Sequence, residues 1–230
     1  MKNYIFLLAV LTIGFVSCSD DDEQVIIPKE RGTVTDDEGN EYEWVRIGDL
    51  DWTTSNAQNG SPCYDASYPG TWGDNYVFEE NEVEYMIEEY MPEYGNLMTF
   101  EDAMDSAPEG WRLPTDEDWK NLERNLGMGT DINAIGWRTG AAKLMMQKEE
   151  GTTLNMLLGG GIIWTASYYL ELKFMHFKEY GYYWTSTIDE SYKDFQAAYY
   201  RKLCFGKDAV ERRATKTSRL MSVRWVRDAE

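Results

Sequence analysis

The side chains with chemical potential are few: Cys18, Cys63, Cys204 and a single histidine, His176. One histidine with no cysteine nearby excludes a zinc site of the usual Cys/His spacing. It also makes a Ser–His–Asp triad a weak expectation. Set between Met175 and Phe177, His176 reads as a strand residue rather than a catalyst. Carboxylates are abundant, but no pair stands out as the acid and base of a glycoside hydrolase. Glu79, Glu80, Glu82, Glu84, Glu88, Glu89 and Glu93 form an acidic run. A cation site needs oxygens converging on one point, whereas a scattered run of charge is ordinarily a solvated face. Gly159-Gly160-Gly161 lacks the Lys and Ser/Thr of a phosphate loop, so a nucleotide is not expected there. The expectation is no catalytic set, no metal and no cofactor.

Cys18 is different, because its surroundings specify a covalent chemistry. Lys2 precedes an apolar run from Tyr4 to Val16, and Phe15-Val16-Ser17 leads into the cysteine. The run is shorter than the ~20 residues needed to span a bilayer and has the flanks of a secretory signal. The pattern resembles a bacterial lipobox, with cleavage after residue 17 and lipid on Cys18. Residues 18–31 then form an acidic tether. Its Ser19-Asp20-Asp21-Asp22-Glu23 stays solvated and resembles the surface-export signal of Bacteroidota lipoproteins. The expected location is the outer membrane, facing outward, with the membrane a partner through the lipid. Export places Cys63 and Cys204 in an oxidising compartment, where a disulfide between them is one option and two free thiols the other.

The elements around these residues are legible in part. Thr33–Thr35 and Tyr42–Ile47 flank the turn cluster Asp36-Asp37-Glu38-Gly39-Asn40, a hairpin signal. Thr99 and Thr115 each stand three residues before an acid, Asp102 and Asp118. That is the spacing of a capped helix start. Trp119, Leu122 and Leu126 make one apolar stripe, and Gly127 is a natural stop. A third short helix is expected over 141–149. Strands are expected at 162–166, 182–187, 197–203, 210–215 and 222–227. The layout is α+β, with two or three short helices apart from antiparallel sheets, in one domain over residues 32–230. The net charge of −19 repels phosphates, so nucleic acid is excluded as a partner.

Four segments in order carry a family resemblance. They are Asp37–Asn40 with Trp44 to Trp52, Gly110-Trp111-Arg112-Leu113-Pro114-Thr115 to Trp119, Gly181 to Thr187 with Trp184, and Ser222 to Asp228 with Trp225. They resemble the Fibrobacter succinogenes major paralogous domain, often borne by Bacteroidota surface lipoproteins. The resemblance implies the C-type-lectin-like fold shared with formylglycine-generating enzymes. Within the motif Leu113 seats the chain, Pro114 restricts its predecessor, Thr115 caps and Trp119 anchors the helix. All are folding roles. Relatives often carry a cysteine where this chain has Trp225, which puts any family disulfide in doubt.

The resemblance implies two functions. An enzyme of the formylglycine-generating type needs a cysteine pair close together, and the C-terminal half offers Cys204 alone. A non-enzymatic ligand-binding or adhesion module, for a glycan or a protein, fits better. Candidate contact residues are Trp164, Tyr168, Tyr169, Tyr192, Tyr199 and Tyr200, rings with polar handles suited to stacking and hydrogen bonding. Trp184 and Trp225 are expected in the core. The Glu-Pro-Asn and Trp-Asn-Asp motifs of calcium-dependent lectins are absent, so binding without calcium is expected.

Overall fold

The computed structural model describes residues 26–62, 71–72, 76–77, 93–129, 131–164 and 172–229; at 61–62, 71–72, 76–77, 164 and 172–173 it describes the backbone alone. Residues 1–25 with Cys18, Cys63, Glu79 to Glu89 of the acidic run, Tyr168 and Tyr169 lie outside the described residues.

The chain opens with the expected hairpin, β1 (Arg31–Thr35) against β2 (Glu41–Ile47). Its turn is organised by Asp36. One carboxylate oxygen accepts from the amides of Glu38 and Asn40, the other from the Asn40 side chain and, at 2.7 Å, the Tyr42 hydroxyl. Burial alone would raise the Asp36 carboxyl, but the bonds from Asn40 and Tyr42 outweigh it and hold it below its ordinary value. β3 (Leu50–Thr53) folds back on β2. Two small ladders follow, β4 (Ser61–Pro62) with β7 (Asn96–Leu97) and β5 (Thr71–Trp72) with β6 (Tyr76–Val77).

Helix α1 (Phe100–Asp105) is capped by Thr99, whose hydroxyl accepts from the Asp102 amide. Helix α2 (Asp116–Asn125) starts at a full capping box: Thr115 Oγ1 accepts from the Asp118 amide, and Asp118 Oδ2 accepts from the Thr115 amide at 2.7 Å. Trp119, Leu122 and Leu126 are all buried, so the apolar stripe faces the core. Gly127 follows at φ +82°. The third helix, α3 (Ala142–Met145), is shorter than the sequence implies. The carbonyls of Met145 and Gln147 accept from the amides of Met156 and Asn155, both at 2.9 Å. The returning chain thus takes the acceptors that further helix would need.

The large sheet runs in the order β10 (Leu172–Phe177), β9 (Gly159–Trp164), β11 (Tyr180–Ile188), β12 (Ala197–Cys204), β13 (Ala209–Lys216), β8 (Gly136–Thr139). Its pairings are antiparallel except one: β9 meets β11 in parallel at Gly160↔Gly181. The sheet is therefore mixed, where a purely antiparallel one was expected. The glycines explain the contact. A Cβ on Gly160, at φ +69°, would stand 2.5 Å from the Met175 carbonyl oxygen, and one on Gly181 would collide with the Leu157 carbonyl.

The expected strand at 222–227 is divided among partners. Ser222 bridges Tyr183, Val226 bridges Arg112, and only β14 (Val226–Asp228) pairs in a ladder, with β3. That pairing puts both ends of the domain in one sheet, ordered β1-β2-β3-β14.

Two cores result. In one, Trp119 meets Trp52 edge-on at 5.2 Å, with Val45, Ile47, Leu203 and Val210 around them. In the other, Trp184 donates from its indole to the Met98 carbonyl at 2.9 Å and meets Phe100 edge-on at 5.9 Å, near Trp225, Trp111 and Leu113. Neighbouring strand residues point to opposite faces, so Tyr183 and Trp184 serve one core each.

Candidate functional site

The alternation that buries Trp184 also sorts the polar side chains of the large sheet. On the face carrying Tyr183, the guanidinium of Arg201 lies wholly buried against α2. It donates to Asp116 Oδ1 at 2.7 Å and to Glu123 Oε1 at 2.6 Å. Arg212 donates to both oxygens of Asp116, and Arg138 to both of Glu123. Burial would raise the Asp116 carboxyl; the bonds and charges of Arg212, Arg201 and Lys120 overcome it and hold the carboxyl well below the carboxylate range. Each charged group here has a partner of opposite sign, so this cluster is a folding device.

The opposite face is aromatic and basic. Register sets Tyr182 against Lys202, Lys202 against Glu211 and Glu211 against Trp137, with Tyr200 beside Arg213. Rings follow one another across it: His176–Tyr180 at 5.0 Å, Tyr180–Tyr182 and Tyr182–Tyr200 both at 6.1 Å, and Tyr192–Phe195 at 5.0 Å. The Lys202 ammonium sits 4.9 Å from the Trp137 ring centre and 5.0 Å from that of Tyr180, and pairs with Glu211. His176 Nδ1 and the Tyr182 hydroxyl are 2.7 Å apart. Burial first, then the charge of Glu211, pushes the Tyr200 hydroxyl up to about 12. Tyr182 rises further for the same first reason, with Tyr200 and Tyr180 adding to it. Both therefore stay neutral donors at physiological pH. Trp137, Tyr192 and Phe195 expose 38%, 42% and 36% of their surface, which makes them the accessible rim of this face.

The sequence candidates divide over this frame. Tyr192 and Tyr200 lie on the aromatic face, the first exposed and the second buried. Tyr199 lies on the other side of β12, with the Arg212 guanidinium 4.1 Å over its ring. Trp164 ends β9 with only its backbone described. Trp111, Leu113, Pro114 and Trp119 are buried and Thr115 caps α2, while Trp184 and Trp225 are wholly buried. Sequence reasoning missed Trp137, Tyr180, Phe195, Lys202 and Arg219. Extending the two-residue alternation of β11 and β12 by one step would have found Tyr180 and Lys202; Phe195 sits in a loop and gave no signal. Cys204 is a buried free thiol that donates to the Phe205 carbonyl at 3.3 Å.

A surface cavity of about 580 Å³ lies elsewhere, between β1–β2 and residues 148–155. Its wall mixes Arg31, Glu43, Lys148 and Glu149, charges of both signs, with one aromatic ring, Trp44. Exposed charges of both signs give it no single electrostatic character. The aromatic face, with graded burial and convergent polar groups, is the better candidate.

Mixed and antiparallel sheets with three short helices among the described residues define a plan that is mostly β with some helix. The chain belongs to the Fibrobacter succinogenes major domain family, whose model matches residues 45–227. No curated protein and no solved structure matches it.

Proposed function

We propose that this protein is a lipoprotein anchored through Cys18 to the outer membrane and displayed outward, whose C-type-lectin-like domain binds a glycan or protein ligand without catalysis. The observation that carries the reading is the rim of exposed rings, Trp137, Tyr192 and Phe195, beside the tyrosine array on β11 and β12. Exposed aromatic clusters on a folded domain ordinarily mark contacts, and Tyr and Trp bring large area with few rotors to immobilise. Lys202 and Lys207, over the Trp137 ring at 4.9 and 5.1 Å, hold that ring in place.

The test is a glycan array, together with crosslinking to surface partners, using the full chain in detergent. Binding that survives calcium chelation and is lost in Trp137→Ala and Tyr192→Ala supports the reading. Retention of binding in both variants would place the ligand elsewhere. Cys18→Ala separately tests the anchor: the protein should leave the membrane fraction.

A further inference from the structure

Arg219 stands apart from the other arginines of the domain. Arg46, Arg112, Arg138, Arg201, Arg212, Arg224 and Arg227 are buried or half-buried, and each donates to carboxylates or carbonyls. Arg219 is also half-buried, yet among the described residues its side chain has no ion pair and no hydrogen bond, and its Nε is sealed from solvent without an acceptor. Burial disfavours its charge first, and the groups acting on it from nearby are the hydroxyls of Tyr200, Tyr182 and Tyr192. Neutral phenols do not neutralise a guanidinium. A charge half removed from water without a counter-ion is costly, and its planar fork is shaped for a carboxylate or sulfate.

The local charge agrees. The chain as a whole carries −19, but besides Arg201 and Arg212, which are paired on the other face, residues 201–219 hold five Lys and Arg against two acids, Asp208 and Glu211. Glu211 is paired with Lys202 and Arg213, not with Arg219. Exposed Tyr192 offers a ring at the edge of this basic ground.

We infer that Arg219 receives the carboxylate or sulfate of an anionic saccharide, whose sugar ring lies against Tyr192. This rests on the aromatic face being the binding surface and names the ligand class. Tyr200, held neutral, supplies a hydroxyl donor beside the same anion.

The experiment measures binding of the full chain in detergent to two matched pairs: polygalacturonate against its methyl ester, and dextran sulfate against dextran. The pairs separate carboxylate from sulfate. Binding to at least one charged polymer is expected, weaker by about tenfold to a hundredfold for its neutral counterpart and in Arg219→Met, the loss ordinarily seen for charge-assisted bonds. Arg219→Lys should fall between. Thermal melting of Arg219→Met should be undiminished, since it breaks no ion pair and no side-chain hydrogen bond among the described residues, and this separates lost binding from lost fold. Equal binding of charged and neutral polymers, or an unchanged Arg219→Met, overturns the inference; loss in Tyr192→Ala would then leave the aromatic-face reading standing. Binding to neither pair overturns the inference for saccharides, and failure of Tyr192→Ala to affect any partner overturns the reading beneath it.

Discussion

Arg201 donates from Nη1 to Oδ1 of Asp116 at 2.7 Å, with the arginine wholly buried and the carboxylate nearly so. The two residues are 85 apart in sequence, and their bond ties the central strand β12 to the first turn of α2. Asp116 also receives Arg212 and Lys120. Removing one partner of such a buried group leaves uncompensated charge, which costs about 3–5 kcal/mol. Asp116→Ala should destabilise by that amount in denaturant unfolding, and Asp116→Asn by somewhat less.

The same carboxylate sets an acid limit. Its pKa in the folded chain lies well below the ordinary value of 3.8. A depressed folded pKa contributes stability that is complete above the unfolded value and is lost as pH falls from there toward the folded one. Stability should therefore drop on acidification below about pH 4–5, as expected for such a carboxylate. Asp116→Asn should flatten that part of the curve; an unchanged acid limb would remove Asp116 as its source.

Helix α2 gives a smaller, local prediction. Thr115→Ala removes the acceptor for the Asp118 amide and half of the capping box. N-cap losses of this type cost about 0.5–2 kcal/mol. Asp118 also binds Arg112 at 2.5 Å, so Asp118→Ala should cost more than Thr115→Ala. Thermal unfolding of the two variants checks the order.

These cases mark what the sequence reveals. Thr115, Trp119 and Gly127 were legible because a cap, a stripe and a stop act within a few residues of one another. Asp36 and its turn were legible for the same reason. Asp116 reads in sequence as one more first-turn acid, since its partners come from β12 and β13. The parallel contact of Gly160 with Gly181 depends on how two distant strands approach, and nothing local to either glycine announces it. Arg219 is harder still: what distinguishes it is the lack of a partner, a property only the assembled neighbourhood has.

Gly160 offers a test of that contact. At φ +69° an L side chain is strained, and its Cβ would press on the Met175 carbonyl oxygen and, at 3.1 Å, on the Phe177 amide nitrogen. Both are backbone atoms that cannot swing away. Gly160→Ala should destabilise by more than the ~1 kcal/mol of a left-handed alanine alone, and hydrogen exchange should quicken at β9 and β10 before the rest of the sheet.

Cys204 closes β12 opposite Tyr180, with its thiol buried and aimed at the Phe205 carbonyl. A thiol is attacked as its thiolate and only where reagent reaches it. Folded protein should therefore react slowly with iodoacetamide at this position, and unfolding in denaturant without reductant should expose it to rapid labelling. A disulfide to Cys63 gives a different result, since no label would enter Cys204 until reductant is added. Peptide mapping of the labelled chain separates the two outcomes. It also bears on chemistry at the site: a cysteine serving as an oxidase nucleophile must meet substrate, so rapid labelling of Cys204 in the folded state would overturn its burial and return an enzyme to contention.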